Sequence, residues 1–128
     1  MKKKILMIED DMAIVDIYKT ALEAKGFSVD VANYGEEAKE KFKKVEKGEE
    51  KKPDLILLDI VLPDVNGIDL LAEMRKKKIL ADIPVFALTN YSDEELKKQG
   101  SSLNVEEYII KAEKLPGEVA DMVKKRLE

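Results

Sequence analysis

Carboxylates, a hydroxyl and an ammonium closely follow the apolar runs of this chain. These polar residues are Glu9, Asp10, Asp11, Asp59, Thr89 and Lys111. Carboxylate oxygens suit Mg²⁺, which keeps several water ligands and often binds substrate phosphates at the same time. Joined by a hydroxyl and an ammonium, they form a set suited to phosphate chemistry that a divalent cation assists. We therefore treat these residues as candidates for one site.

Two missing residue types narrow the chemistry further. The sequence contains no cysteine and no histidine. Without cysteine there is neither a disulfide framework nor a thiolate nucleophile. Without histidine there is no serine–histidine pair and no imidazole acid or base, and a zinc site is not expected. Carboxylate, hydroxyl and ammonium chemistry remains.

Length and composition indicate one globular domain over residues 1–128. Charged residues make up 39% of the chain and hydrophobic residues 45%, which is typical of a packed domain and not of a disordered segment. A formal net charge of −4 and scattered lysines argue against nucleic acid as a direct partner. The apolar runs are too short for a bilayer span or a signal peptide, so we expect a cytoplasmic protein without a membrane partner.

Apolar periodicity predicts strands and helices in alternation. The predicted strands cover 4–8, 27–32, 55–59, 83–88 and 107–110, and the predicted helices cover 12–25, 34–47, 68–78, 93–103 and 116–127. Asp11 and Asn33 are predicted N-caps of the first two helices. Alternation with short connections implies a parallel sheet with helices on both faces.

The fourth helix is predicted to be weak. A capping-box pattern, SDEE at 92–95, opens it, and Leu96, Gly100 and Leu103 form its inner face. Glycine disfavours a helix by about 1 kcal/mol relative to alanine, and Asn104 suits the left-handed position that ends one. Because switching elements come from the less stable parts of a fold, this helix is a candidate for conformational change.

In a parallel sheet the strands deliver these polar residues to the same edge, where open α/β sheets bind ligands. Asp59 would then lie close to the acids that follow the first strand. Two unit charges 4 Å apart repel by roughly 4 kcal/mol at an effective dielectric constant of about 20. A cation, Lys111 or proton uptake must therefore relieve the cluster.

Four segments together resemble the receiver domain of two-component response regulators. They are ILMIEDD at 5–11, DLILLDIVLPDVNG at 54–67, PVFALTN at 84–90 and EEYIIK at 106–111. The resemblance covers essentially the whole chain as a single receiver domain. It implies an α/β fold with a doubly wound, five-stranded parallel sheet of the flavodoxin-like (βα)5 type and strand order 2-1-3-4-5.

The resemblance implies that Asp59 is the phosphoacceptor and forms an acyl phosphate. It further implies that Mg²⁺ (or Mn²⁺) is bound by Asp10, Asp59, the backbone carbonyl of Val61 and, through water, Glu9. Asp11 is interpreted as a helix cap, and the choice of Asp10 over Asp11 as the ligand rests on the register of the family motif.

The resemblance also implies that Thr89 and Lys111 bind the phosphoryl group, and that Tyr108 changes rotamer together with Thr89 on activation. The donor would be the phosphohistidine of a histidine kinase or a histidine phosphotransfer protein. Met12 and Val15, on the outer side of the first helix, are candidates for docking that partner.

Output is expected to pass to an unidentified downstream protein, from a monomer or a weak dimer through the face of the fourth helix, fifth strand and fifth helix. The domain would catalyse its own phosphorylation and dephosphorylation and would not be an enzyme acting on a separate substrate.

The sequence departs from the family motif after Lys111, and two alternative functions also stay open. Ala112 stands where the family usually has a proline after a cis bond, and we predict a trans bond after Lys111 because a cis bond to a residue other than proline costs about 2.5–4 kcal/mol. One alternative is a receiver-fold scaffold or pseudo-receiver, natural or engineered, that is not phosphorylated. The other is a Mg²⁺ phosphatase with an aspartate nucleophile, which Val61 disfavours because such enzymes typically carry a second acid at that position.

Overall fold

The computed structural model describes residues 2–90 and 94–128. Its strands are β1 (Lys4–Ile8), β2 (Ser28–Ala32), β3 (Leu55–Asp59), β4 (Val85–Thr89) and β5 (Val105–Ile110). Its helices are α1 (Met12–Ala24), α2 (Gly35–Glu46), α3 (Gly67–Arg75), α4 (Glu94–Ser101) and α5 (Pro116–Leu127). The strands pair in parallel in the order β2-β1-β3-β4-β5, which confirms the predicted doubly wound α/β fold.

Both faces of the sheet are covered, which explains the uninterrupted apolar run of β3. Leu55 and Leu57 pack with residues of α1 and α5, whereas Ile56 and Leu58 pack with residues of α2 and α3. Successive side chains of a strand point to opposite faces, so each strand contributes alternately to two cores. The position of a residue along its strand therefore decides on which side of the sheet it acts.

The exposed face of α1 differs from the prediction. Met12 is 56% exposed, but Val15, which was predicted to dock a partner together with it, is only 3% exposed. Val15 belongs instead to the buried stripe of the helix, together with Tyr18 and Leu22. Ile17 of the same helix is 49% exposed. The apolar residues of α1 fit two helical faces, and only packing against the sheet selects between them.

The N-terminus of α2 is not capped by Asn33, so that prediction was wrong. Tyr34 occupies the N-cap position and makes no side-chain cap bond. The side-chain amide of Asn33 donates instead to the backbone carbonyl of Glu9, at 3.2 Å. Asp64, in the loop after β3, accepts the first free amides of α2. A residue distant in sequence replaces the local cap.

Gly100 in α4 has a packing role that the sequence did not reveal. It is buried, and a β-carbon at this position would overlap the hydroxyl of Tyr108. Asn104 adopts the predicted left-handed conformation, with φ of 61°. The predicted capping box at 92–95 lies partly outside the described residues, as does the side chain of Leu96. Gly100 therefore lowers the helix propensity of α4 and leaves room for the hydroxyl of Tyr108.

The remaining boundaries differ from the prediction by a few residues. Helix α3 ends at Arg75, β4 begins at Val85, and β5 begins at Val105. The described ranges contain no cis peptide bond. The bond between Lys111 and Ala112 is thus trans, as predicted. In the part of the chain that the structure describes, no helix has the length and apolar character needed to cross a membrane.

Arg75 joins the end of α3 to two neighbouring connections. Its guanidinium donates to the backbone carbonyls of Ala81 and Ile83, at 2.9 and 2.7 Å, and to those of Leu103 and Asn104, at 2.9 and 3.3 Å. Burial lowers the pKa of Arg75, yet arginine stays charged at any ordinary pH. This side chain thus fixes the turn between α4 and β5 to the loop before β4.

We predict that Arg75→Met destabilises the protein by about 2 kcal/mol, because carbonyls at this junction lose their charged donor. Chemical denaturation monitored by circular dichroism measures the loss. The control is Arg126→Met, which removes an exposed pair with Glu106 and should have little effect. Equal losses for the two variants would contradict the assigned role of Arg75.

Candidate functional site

Glu9, Asp59 and Lys111 reach the carboxyl edge of the sheet on the same face. Asp59 ends β3, while Glu9 and Lys111 directly follow β1 and β5. The ladder continues past those two strand ends, because the Glu9 amide donates to the carbonyl of Ala32 and the Lys111 amide to that of Thr89. Each of the three residues is two positions beyond a core residue on the α1 and α5 side. Strand alternation therefore places them together.

The ammonium of Lys111 bridges the two buried carboxylates. Its Nζ lies 2.5 Å from Glu9 Oε1 and 3.3 Å from Asp59 Oδ2. Glu9 is 1% exposed and Asp59 is 4% exposed. Removing such charges from water is costly unless an opposite charge is in contact. Lys111 thus supplies the positive charge that we expected to offset the repulsion between the carboxylates at this edge.

Burial and pairing shift the ionisation of this pair in identifiable directions. Burial raises the pKa of Glu9, and the hydrogen bond from Lys111 offsets this only in part. Burial alone would lower the pKa of Lys111, but the hydrogen bond to Glu9 and the charges of Asp59 and Glu9 outweigh it, so the pKa is raised. Lys111 therefore remains protonated at neutral pH.

A backbone amide orients each buried carboxylate. The amide of Val61 donates to Asp59 Oδ1 at 3.0 Å, and the amide of Asp11 donates to Glu9 Oε2 at 3.2 Å. In both cases the donor lies two residues after the acid, while the other oxygen faces Lys111. The two carboxylates are thus held in fixed orientations.

Glu9, Asp10 and Asp59 form a cluster that could hold a metal ion. Each offers an oxygen, and these oxygens lie within 4.8 Å of one another. Asp10 is exposed whereas its two partners are buried, so the cluster opens to solvent on the side of Asp10. Asp11 caps α1 through the amides of Ala13 and Ile14, as predicted. The donor set fits a hard divalent cation such as Mg²⁺ or Mn²⁺.

The loop after Asp59 is closed on itself. Val61 and Asn66 form an antiparallel bridge, and the amide of Gly67 donates to the carbonyl of Ile60 at 2.9 Å. A β-carbon on Gly67 would lie 2.6 Å from that carbonyl oxygen, so the close approach requires glycine. Asn66 also caps α3 through the amide of Ile68. The closed loop therefore fixes the position of the Val61 backbone beside Asp59.

Thr89 and Tyr108 lie on the opposite face from the charged cluster. Thr89 is buried at the end of β4, and Tyr108 pairs with Ala87, two residues earlier on that strand. Tyr108 packs against the core on the α2 and α3 side, and burial raises the pKa of its hydroxyl. The predicted site residues are thus gathered at one edge of the sheet but on two faces.

Sequence reasoning missed two residues that shape this site. Asn33 contacts Glu9 through its side-chain amide, and Asp64 connects the loop after β3 to α2. Both are short polar residues in loops, where such residues usually bind nearby backbone or water. No local pattern distinguishes them, since their partners are brought close only by the fold.

Comparisons with known proteins agree with this arrangement. The family model of the response regulator receiver domain matches residues 5–124. The chain is 37% identical over 111 residues to the alkaline phosphatase synthesis transcriptional regulatory protein PhoP of Bacillus subtilis (strain 168), covering 87% of this chain and 43% of that protein. It therefore spans less than half the length of that curated relative.

Two solved structures match nearly the whole chain. The phosphorylated cyanobacterial phytochrome response regulator RcpA has a TM-score of 0.83 and 30% identity, with 98% of this chain and 91% of that chain covered. The Mn²⁺-bound form of response regulator Rcp1 has a TM-score of 0.81 and 28% identity, with 96% and 90% covered.

We predict that Lys111→Met lowers the free energy of unfolding by roughly 3 kcal/mol, because two buried carboxylates lose their counter-charge. Thermal and urea unfolding measure the effect. Lys125→Met, at an exposed position of α5, is the control and should be close to neutral. Adding Glu9→Gln to Lys111→Met should recover part of the loss, and a double variant less stable than Lys111→Met would contradict the charge argument.

Proposed function

This chain belongs to the response regulator receiver domain family of two-component signalling, and we propose that it is switched by phosphorylation of Asp59. The observation that carries the proposal is the contact of the Lys111 ammonium with both Glu9 and Asp59 at the carboxyl edge of the sheet. An oriented nucleophile, a cation and an adjacent acidic cluster are the parts that phosphoryl transfer to a carboxylate needs.

In the proposed reaction an oxygen of Asp59 attacks the phosphorus of a phosphohistidine. The phosphorus–oxygen bond forms, the phosphorus–nitrogen bond breaks, and the leaving imidazole takes up a proton. The amide of Val61 keeps the carboxylate oriented. The Lys111 ammonium would exchange its contact with the carboxylate for one with a phosphoryl oxygen as negative charge moves there. Because the chain contains no histidine, the donor phosphohistidine lies outside it, in a histidine kinase or phosphotransfer protein, or the donor is a small phosphate compound.

The residues suited to hold a divalent cation are Asp10 and Asp59 directly, Glu9 through water, and Val61 through its backbone carbonyl. When bound, Mg²⁺ or Mn²⁺ would neutralise charge on the transferring phosphoryl group. The carboxylate cluster supports this assignment, and the neighbour Rcp1 is a Mn²⁺-bound structure by its description. Lys111 contributes a second positive charge at the same place.

The proposed switch uses the opposite face of the sheet. Thr89 would turn its hydroxyl toward the phosphoryl group, which makes space beside Tyr108 for a new rotamer. The hydroxyl of Tyr108 lies against Gly100, so movement of the tyrosine changes the contact between β5 and α4. The short helix α4 is the element we expect to respond.

We propose a downstream protein as the receiver of this change, with the domain acting in the cytoplasm as a monomer or a weak dimer through α4, β5 and α5. The domain would catalyse only its own phosphorylation and dephosphorylation. The relative in Bacillus subtilis is a transcriptional regulatory protein by name, which supports a regulatory output.

The central prediction is that acetyl phosphate with millimolar Mg²⁺ adds one phosphoryl group to the protein, measured by intact mass. Asp59→Asn should abolish the addition, whereas Asp69→Asn, an exposed acid on α3, should not. Beryllofluoride, which stands in for the phosphoryl group, should shift the amide signals of β4, β5 and α4. No mass change and no shift would favour the unphosphorylated scaffold, and steady release of phosphate from a donor would favour a phosphatase.

A further prediction concerns the space beside Tyr108. Gly100→Ala should destabilise the protein although alanine improves helix propensity by about 1 kcal/mol, because the new methyl group displaces the tyrosine ring. In a Tyr108→Ala background the same substitution should instead be neutral or stabilising. Urea unfolding of the four variants in this cycle measures the coupling. Additive effects would show that Gly100 and Tyr108 do not compete for one space.

A further inference from the structure

Asp64 connects the loop that follows the candidate phosphoacceptor to the start of α2. Its carboxylate accepts hydrogen bonds from the amides of Gly35 at 2.9 Å and Glu36 at 3.0 Å. The first amides of a helix have no partner within it, and the side chain of Tyr34, in the N-cap position, makes no cap hydrogen bond. These two hydrogen bonds hold the pKa of Asp64 below its usual value. The loop thus supplies the cap that α2 lacks.

A second contact joins the same two segments. The side chain of Val65 packs so closely on Gly35 that a β-carbon there would clash with it. Val65 also contacts the core cluster between the sheet and α2 and α3. The loop is therefore held against the first turn of α2 by the hydrogen bonds to the Asp64 carboxylate and by apolar packing.

The rest of the loop connects Asp64 to the backbone beside Asp59. The bridge between Val61 and Asn66 joins its two sides, so Asp64 stands at the tip of a closed unit. At the base of this unit the Val61 amide donates to Asp59 Oδ1. A displacement of the tip would therefore change the angle at which the Val61 backbone faces the carboxylate.

We propose that Asp64 is a positioning residue that fixes the Val61 backbone beside Asp59 by anchoring the loop to α2. The proposal deepens the proposed function, on which it rests, because it assigns a support to the backbone carbonyl expected to face a bound cation. Since coupling between two sites is reciprocal, a cation held by the cluster would also strengthen the contact of Asp64 with α2. The first turn of α2, next to the exposed Tyr34, is then a responding surface in addition to α4.

The first test needs no metal and follows exchange of backbone amide hydrogens by NMR. In Asp64→Ala, exchange at Val61 should be several-fold faster than in the wild type. Exchange at the core residue Leu57 of β3 should change only by the amount that the loss in the free energy of unfolding accounts for. Asp69→Ala removes the same charge from α3 and should leave the Val61 amide unchanged. Asp64→Asn keeps an acceptor oxygen and should recover most of the protection. Unchanged exchange at Val61 in Asp64→Ala would overturn the proposal.

The second test is a titration with Mn²⁺. We expect Asp64→Ala to weaken binding by about threefold to tenfold, near the lower limit for residues that support metal ligands, and Asp69→Ala to weaken it by less than twofold. In the wild type, Mg²⁺ at saturation should slow exchange at Gly35 and Glu36. Equal affinities for Asp64→Ala and Asp69→Ala would count against the role of Asp64.

The two tests separate the present inference from the proposed function. A wild-type protein that binds no cation would contradict the proposed metal site, and the role of Asp64 would then be decided by the metal-free exchange at Val61. A protein that binds Mn²⁺ normally but shows no dependence on Asp64 would retain the proposed function and overturn the anchor.

Discussion

The contact of one ammonium with two buried carboxylates determines how this domain is organised. Glu9 follows β1, Asp59 ends the neighbouring central strand β3, and Lys111 follows the edge strand β5. Their meeting requires all three strand ends to be in register, because the side chains reach only a few ångströms. The pair is tolerated in the interior because Lys111 and two backbone amides satisfy the charged oxygens. A change of charge at Asp59 would therefore directly alter its contact with Lys111.

The sheet separates the charged cluster from the residues of the proposed switch. Alternation along the strands places the acidic cluster on the side of α1 and α5, and Thr89 and Tyr108 on the side of α2, α3 and α4. A parallel sheet buried on both faces is rigid, so under the proposed switch we expect a change at its edge to pass from one face to the other at the end of β4. Beyond that point lies α4, whose Gly100 leaves room for the tyrosine hydroxyl. The helix that the sequence predicts to be weak is thus packed against the residue expected to move.

The sequence predicted the fold well and brought the candidate residues to one edge of the sheet, but it predicted individual contacts less well. Acids, hydroxyl and lysine at strand ends converge because parallel strands end at one edge, which follows from alternation of elements alone. By contrast, Val15 was placed on the surface although it is buried, and Asn33 was taken as a helix cap although Asp64 supplies the acceptor. Local patterns describe what a residue can do with its neighbours in sequence, and they cannot identify a partner from a distant segment.

Apolar runs, helix periodicity and the choice of polar residues by themselves determined the class of fold and the edge at which the candidate residues meet, and they indicated the kind of chemistry that we propose. These properties follow from local preferences that repeat along the chain. Only the tertiary structure decided that Lys111 touches both carboxylates, that Asp10 is the open member of the acidic cluster and that Asp64 ties the loop to α2. Those facts depend on distances between segments far apart in sequence, which strand register and packing set together.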